Sequence, residues 1–174
     1  MGLLSNILDK NKTFRPKKKF SPDTRRYSLH KHCSTSLGTG QDNLSGACKC
    51  PEDSHLNDWL AVNVIDFYNK INLLYGSIRD DCNELINPND KRMGAGPHFE
   101  YLWMDKKKYK VATTVSAPMY ASLTMDWIEE IINDENIFPI DEEKPFPKSF
   151  KKNYVKPVWK KLFRIMAHIM IEHF

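Results

Sequence analysis

The sequence predicts a mainly α protein: a helix-bundle core with a flanking β-hairpin and a flexible basic N-terminal arm. Three observations carry this expectation. Apolar residues recur at three- and four-residue steps in three long segments of the 174-residue chain. One shorter stretch alternates with a period of two. The first third is rich in Ser, Thr, Gly, Pro and Lys and sustains neither period. A chain of this length holds one domain with a real core and is too short for two ordinary ones.

The elements follow in order. Residues 1–53 form the arm, with "RPKKKF" and "TRRYSLHKH" as its basic runs, and "RRYSLHKHCSTSL" can make a short helix within it. Residues 54–174 form the helical body. Its first helix is "DSHLNDWLAVNVIDFYNKINLLYGSI", where Leu60, Val64, Phe67, Ile71, Leu74 and Ile78 share a face. Asp53 or Ser54 can cap it, and Gly76 lies where it should weaken or end. After a polar loop, Phe99, Tyr101 and Trp103 alternate with His98, Glu100 and Leu102. Val111, Thr113 and Val115 alternate beyond a Lys-rich turn, which predicts the hairpin. Ser116 caps a second helix with Pro118 in its first turn. Its apolar face is Tyr120, Leu123, Trp127, Ile128, Ile131 and Ile132. A third helix runs from about Tyr154 to the end through Val158, Leu162, Ile165, Met166 and Ile169, with Pro157 in its first turn.

Net charge is only +4, but it is unevenly placed, with acids gathered in "DWIEEIINDEN" and "DEEK". A basic arm suits nucleic acid, anionic lipid or an acidic protein equally well. No segment approaches the ~20 apolar residues of a membrane span. The N-terminus lacks the apolar core of a secretory signal, and Cys33, Cys48, Cys50 and Cys82 show no secreted framework spacing. The expected compartment is the cytoplasm, with nuclear access.

Phosphate-cradling, kinase and nucleophile-elbow motifs are missing, because "GAGP" lacks the P-loop lysine and precedes a strand. His168 and His173 are five apart, about 140° around an ideal helix, and converge only if the last turn opens or the second ring reaches back. With Cys82 they would supply three zinc ligands, one short of a closed structural site. A catalytic zinc with an open position is the alternative from a different class, a hydrolase for which Glu172 is a weak candidate base. A nucleic-acid-binding arm is the third reading, testable by its salt dependence. In "WKKLFR", Lys160 and Arg164 share a helix face and Lys161 lies about 100° away, a cationic strip suited to a dianionic phosphate or simply to water.

Several stretches together resemble the MOB (Mps-one-binder) proteins: "HLNDWLAVNVIDFYNKINLLYGSI", "GAGPHFEYLW", "VSAPMYASLTMDWIEEIINDENIFP", "PFPKSF" and "KKLFRIMAHIMIEHF". "NKTFRPKKKF" and "SLGTG" are similar to the arm of the kinase-activating branch. The resemblance implies a fold around a four-helix bundle, a structural zinc and no catalysis. It implies co-activation of NDR/LATS-type AGC kinases in Hippo and mitotic-exit signalling. Cys82, His168 and His173 match three zinc ligands. The second cysteine does not carry over: counting back from "GAGP" places Asp90 there, and counting forward from Cys82 places Asn87. Loss of the metal is the other outcome. The phosphopeptide pocket falls on Lys160, Lys161 and Arg164, with a Hippo/MST-type upstream kinase as the source of phosphothreonine. The kinase surface falls on Asp58 and Trp59, although Ser54 and His55 stand where the branch carries acids. Thr13 and Ser36 match the phosphorylation switch. Family members usually continue beyond the position of Phe174, and apolar surface at that edge would favour self-association.

Overall fold

The computed structural model describes residues 19–36, 48–82, 92–105 and 107–174. The mainly α expectation holds: among the described residues there are four α-helices and one π-helical turn. They are α1 (Arg25–Ser36), α2 (Leu56–Ile78), α3 (Ala117–Asn133) and α4 (Lys156–Glu172), with the π-helical turn at Lys151–Val155 leading into α4. The central element is α2, which touches all three other helices and the π-helical turn. No helix of the described residues is long and apolar enough to cross a membrane.

The core lies where the three-and-four spacing put it. Leu60, Val64, Ile71 and Ile78 of α2 are buried against Tyr120, Ile128, Ile131 and Ile132 of α3 and Val158, Leu162, Ile165 and Ile169 of α4. Phe67 and Leu74 are half-buried at its margin, and Phe67 stacks on Trp159 with 4.4 Å between ring centroids. Ser116 caps α3 as its position predicts, accepting a hydrogen bond from the Met119 N–H at 3.4 Å. Two local expectations fail. His55, not Asp53 or Ser54, precedes α2 and makes no side-chain cap, and the helix passes Gly76 to end at Ile78. Burial of the α2 face outweighs one glycine's propensity cost of about 1 kcal/mol.

The β-hairpin does not form. Between residues 93 and 115 the described residues hold only two isolated antiparallel bridges, Gly94–Glu100 and Trp103–Thr113. Alternation breaks because Phe99 and Val111 are solvent-exposed, so neither side presents a continuous apolar face. Asp105 completes the interruption. Its carboxylate accepts from the Trp103 indole (3.1 Å) and from the Lys107 and Tyr109 N–H groups (2.8 and 2.9 Å), satisfying locally two backbone donors that a ladder would use.

The helix anticipated within the arm is α1, and it packs on α2. Arg25 donates to the Glu142 carboxylate and backbone carbonyl, and His30 Nδ1 lies 2.7 Å from Asp66 Oδ2. Arg26 is buried, with its Nε 2.8 Å from Asp58 Oδ1 and its Nη1 donating to the Pro139 carbonyl.

Candidate functional site

Helix α4 carries two groups of polar side chains. The first stands at its C-terminal end. Because α4 stops at Glu172, His173 leaves the helix with φ −124° and ψ 0°. This is the opened last turn that a spacing of five requires. The rings of His168 and His173 come to 5.1 Å between centroids, with Nε2 to Nε2 at 3.3 Å. Cys82, fully buried just beyond α2, brings its Sγ to 3.5 Å from His168 Nε2. The Tyr75 hydroxyl donates to that sulfur from 3.8 Å. One donor atom from each of the three residues lies within 4.8 Å of the others.

His168 is oriented from its far side. Its Nδ1 sits 2.8 Å from the Gly94 carbonyl, which only accepts, so the ring's proton resides there. The Nε2 lone pair then faces Cys82 and His173. Whether this set suits zinc is a matter of arithmetic. Zinc bonds of ~2.0–2.1 Å to nitrogen and ~2.3 Å to sulfur at tetrahedral angles imply N···N edges of about 3.3 Å and N···S edges of about 3.6 Å. The observed 3.3 and 3.5 Å match both. Asp90 and Asn87, the two positions considered for a fourth ligand, lie outside the described residues.

The second group lies two turns earlier. Lys161 and Arg164 converge on Tyr120 of α3: the Arg164 guanidinium donates to its hydroxyl at 3.0 Å and covers the Tyr101 ring at 5.1 Å. Lys161 Nζ stands 3.5 Å over the centre of the Trp103 ring, with Tyr120 and Trp127 each at 5.5 Å. Burial, and then the neighbouring Arg164 charge, push the Lys161 ammonium down to a pKa of about 8, partly opposed by Asp105. Lys160, by contrast, is exposed and takes no part in this aromatic floor. The fold thus brings Lys161 together with Arg164, three apart, and leaves Lys160 outside this pair. Sequence reasoning missed the floor of Tyr101, Trp103 and Tyr120, whose positions were read only as a strand and a core face.

At the start of α2, Asp58 is not a free surface acid. It is 7% exposed and held by Arg26, while Trp59 is half-buried beside it. Asp58 borders a cleft of about 560 Å³ lined also by Arg25, Leu56, Glu142, Glu143 and Phe146. Arg26 carried no signal of this role, since 32 residues separate it from its partner. Thr13 lies outside the described residues. Ser36 is the last residue of α1, and its side chain is outside them too.

The Mob1/phocein family model matches residues 34–174. The chain belongs to the Mob1/phocein family. It is 47% identical over 171 residues to MOB kinase activator 3A of Bos taurus, covering 98% of this chain and 76% of that one. It is 47% identical over 171 residues to MOB kinase activator 3B of Homo sapiens, covering 98% and 77%. MOB kinase activator-like 1 homolog B of Dictyostelium discoideum is 49% identical over 166 residues, covering 95% and 74%. The motifs on which the resemblance rested thus belong to a match over nearly all of this chain and about three quarters of those relatives.

Proposed function

We propose that this chain is a non-catalytic kinase co-activator and adaptor. It binds the N-terminal regulatory region of an NDR/LATS-type AGC kinase and docks a phosphorylated upstream partner, such as a Hippo/MST-type kinase. Family membership and relatives named as kinase activators support the first part. The observation that carries the second is the pairing of Lys161 and Arg164 on an aromatic floor. Among the described residues, neither is salt-bridged to a carboxylate, and their ring partners hold them in place. Two cations held 3.5 Å over the Trp103 ring and 5.1 Å over the Tyr101 ring suit a phosphothreonine, whose dianion the guanidinium takes in a fork and the ammonium meets as a point charge. Lys160 adds an outer charge that attracts the peptide.

The kinase segment engages Trp59 directly and reaches Asp58 by displacing Arg26. Phosphorylation at Thr13 or Ser36 would place a dianion near the basic arm and shift that exchange. Cys82, His168 and His173 hold a structural zinc, with Asp90 the candidate fourth ligand. Bound there, the metal cross-links the end of α2 to the end of α4 and supplies stability rather than chemistry. The protein acts in the cytoplasm, with access to the nucleus and mitotic structures. Self-association through the exposed Phe163 and Met170 of α4 and Phe174 just beyond it is part of the same reading.

Affinity capture tests the kinase arm. Trp59→Ala should reduce recovery of an NDR/LATS-type regulatory segment by about 10-fold or more, as loss of an aromatic anchor does. Retention of wild-type capture by that variant and by Asp58→Lys would remove the proposed surface.

A further inference from the structure

The loop from Met93 to Tyr101 is pinned at three points. Met93 N–H donates to the Val115 carbonyl at 3.1 Å, Tyr101 N–H to the Met93 carbonyl at 2.7 Å, and Ala95 N–H to the Phe99 carbonyl at 2.9 Å. From this fixed frame two backbone groups reach α4. The Gly94 carbonyl accepts from His168 Nδ1, and the Gly96 N–H donates to Glu172 Oε1 at 2.6 Å. Glu172 immediately precedes His173, at the turn where the chain leaves the helix. The two glycines are favoured for different reasons, Gly94 by a tight contact and Gly96 by its backbone conformation. A Cβ on Gly94 would meet the Phe99 carbonyl oxygen at 3.0 Å, and Gly96 has φ +73°, with the Ile171 side chain 3.6 Å from where its Cβ would be.

We propose that Gly94, Gly96 and Glu172 form a two-point clamp of positioning residues that turns both imidazoles toward Cys82 and so sets the affinity of the cluster for a zinc-class divalent metal. One point selects the His168 tautomer; the other holds the turn from which His173 folds back. Without metal, His173 Nε2–H donates to the His168 Nε2 lone pair, so the clamp keeps the two nitrogens at a tetrahedral edge before any ion enters. This rests on the metal reading of the cluster, and the test separates the two.

Cobalt titration of the full chain, followed by the thiolate-to-cobalt absorption band and by zinc competition against a chelator, gives the readout. Wild type should take up one ion. Glu172→Ala should weaken uptake by about 10-fold, within the range seen when an outer partner of a ligand is lost. Glu172→Gln, which keeps an oxygen acceptor, should recover most of it, and Gly94→Ala should lose more than Glu172→Ala. The metal-free melting temperature of Glu172→Ala should match wild type. Wild type without uptake overturns the metal reading and the clamp together. Normal uptake by wild type and Glu172→Ala alike overturns the clamp alone. A lowered metal-free melting temperature that glutamine does not restore makes Glu172 merely structural and also overturns it.

Discussion

Lys161, Arg164 and His168 stand three and four residues apart on one stripe of α4, yet the two ends of that stripe do opposite things. At one end aromatic faces from Trp103, Tyr120 and Tyr101 receive the Lys161 ammonium and the Arg164 guanidinium. At the other a backbone carbonyl, a thiol and a second imidazole receive a neutral ring and aim its lone pair inward. The helix supplies the same geometry to both. What differs is the wall opposite: π-faces favour positive charge, whereas a carbonyl behind an imidazole prepares it as a ligand. The comparison predicts that damage at one end leaves the chemistry of the other intact.

The largest effect should come from His168→Ala. Zinc affinity should fall by more than the ~10–100-fold that an outer partner costs, because a ligand is removed outright. The metal-free protein should also lose about 2 kcal/mol, since the variant leaves the Gly94 carbonyl without this buried donor. Chelator competition and thermal melting check the two quantities. Affinity for a phosphothreonine peptide should change less than threefold; a collapse there would mean the two ends are one unit.

Much of this was legible in the sequence, for reasons that differ by residue. The burial of Leu60, Val64, Ile71 and Ile78 followed from periodicity, because a buried helix face must repeat with the helix. Ser116 followed from cap chemistry. The hairpin was misread because Tyr101 and Trp103 do turn inward while Phe99 does not, and a period of two cannot be judged from two matches. The Arg26 partner of Asp58 was not legible because it sits in another helix, and no local pattern encodes a contact across 32 residues. His168 and His173 were legible as a pair. Gly94 was not, because its contribution is a carbonyl that every residue carries.

Arg164→Ala should weaken a phosphothreonine peptide by about 10–100-fold, the loss of hydrogen bonds to a charged group worth ~1.5–3 kcal/mol. Arg164→Lys should fall between, keeping charge but losing the fork. Neither should alter cobalt uptake. Fluorescence titration with the phosphorylated and unphosphorylated peptide checks this, and equal loss for both forms would show that Arg164 packs rather than recognises phosphate.

The smallest effect is also the most diagnostic of the aromatic end, and it concerns pH. Lys161 titrates near 8 when folded, against an ordinary lysine value of 10.5. Its surroundings are Arg164 on its own helix, Tyr120 on α3, and Asp105 beyond Trp103. At pH 7 about nine-tenths of it is ammonium, and at pH 9 about one-tenth. A phosphothreonine is dianionic above pH ~6, so peptide affinity should be highest between about 6 and 8 and fall several-fold by pH 9. A bound phosphoryl group raises the lysine pKa and stretches that fall upward. Stability moves the other way. The unfolded chain binds more protons than the folded one between about 8 and 10.5, so this residue's contribution rises with pH through that window and is lost as pH falls through 8. Lys161→Arg cannot deprotonate, and its affinity should stay level to pH 9. A wild-type profile as level as that of the variant would mean the Trp103 face stabilises the ammonium enough to cancel its burial, and that the aromatic end holds a permanent charge in the same sense as Arg164 beside it.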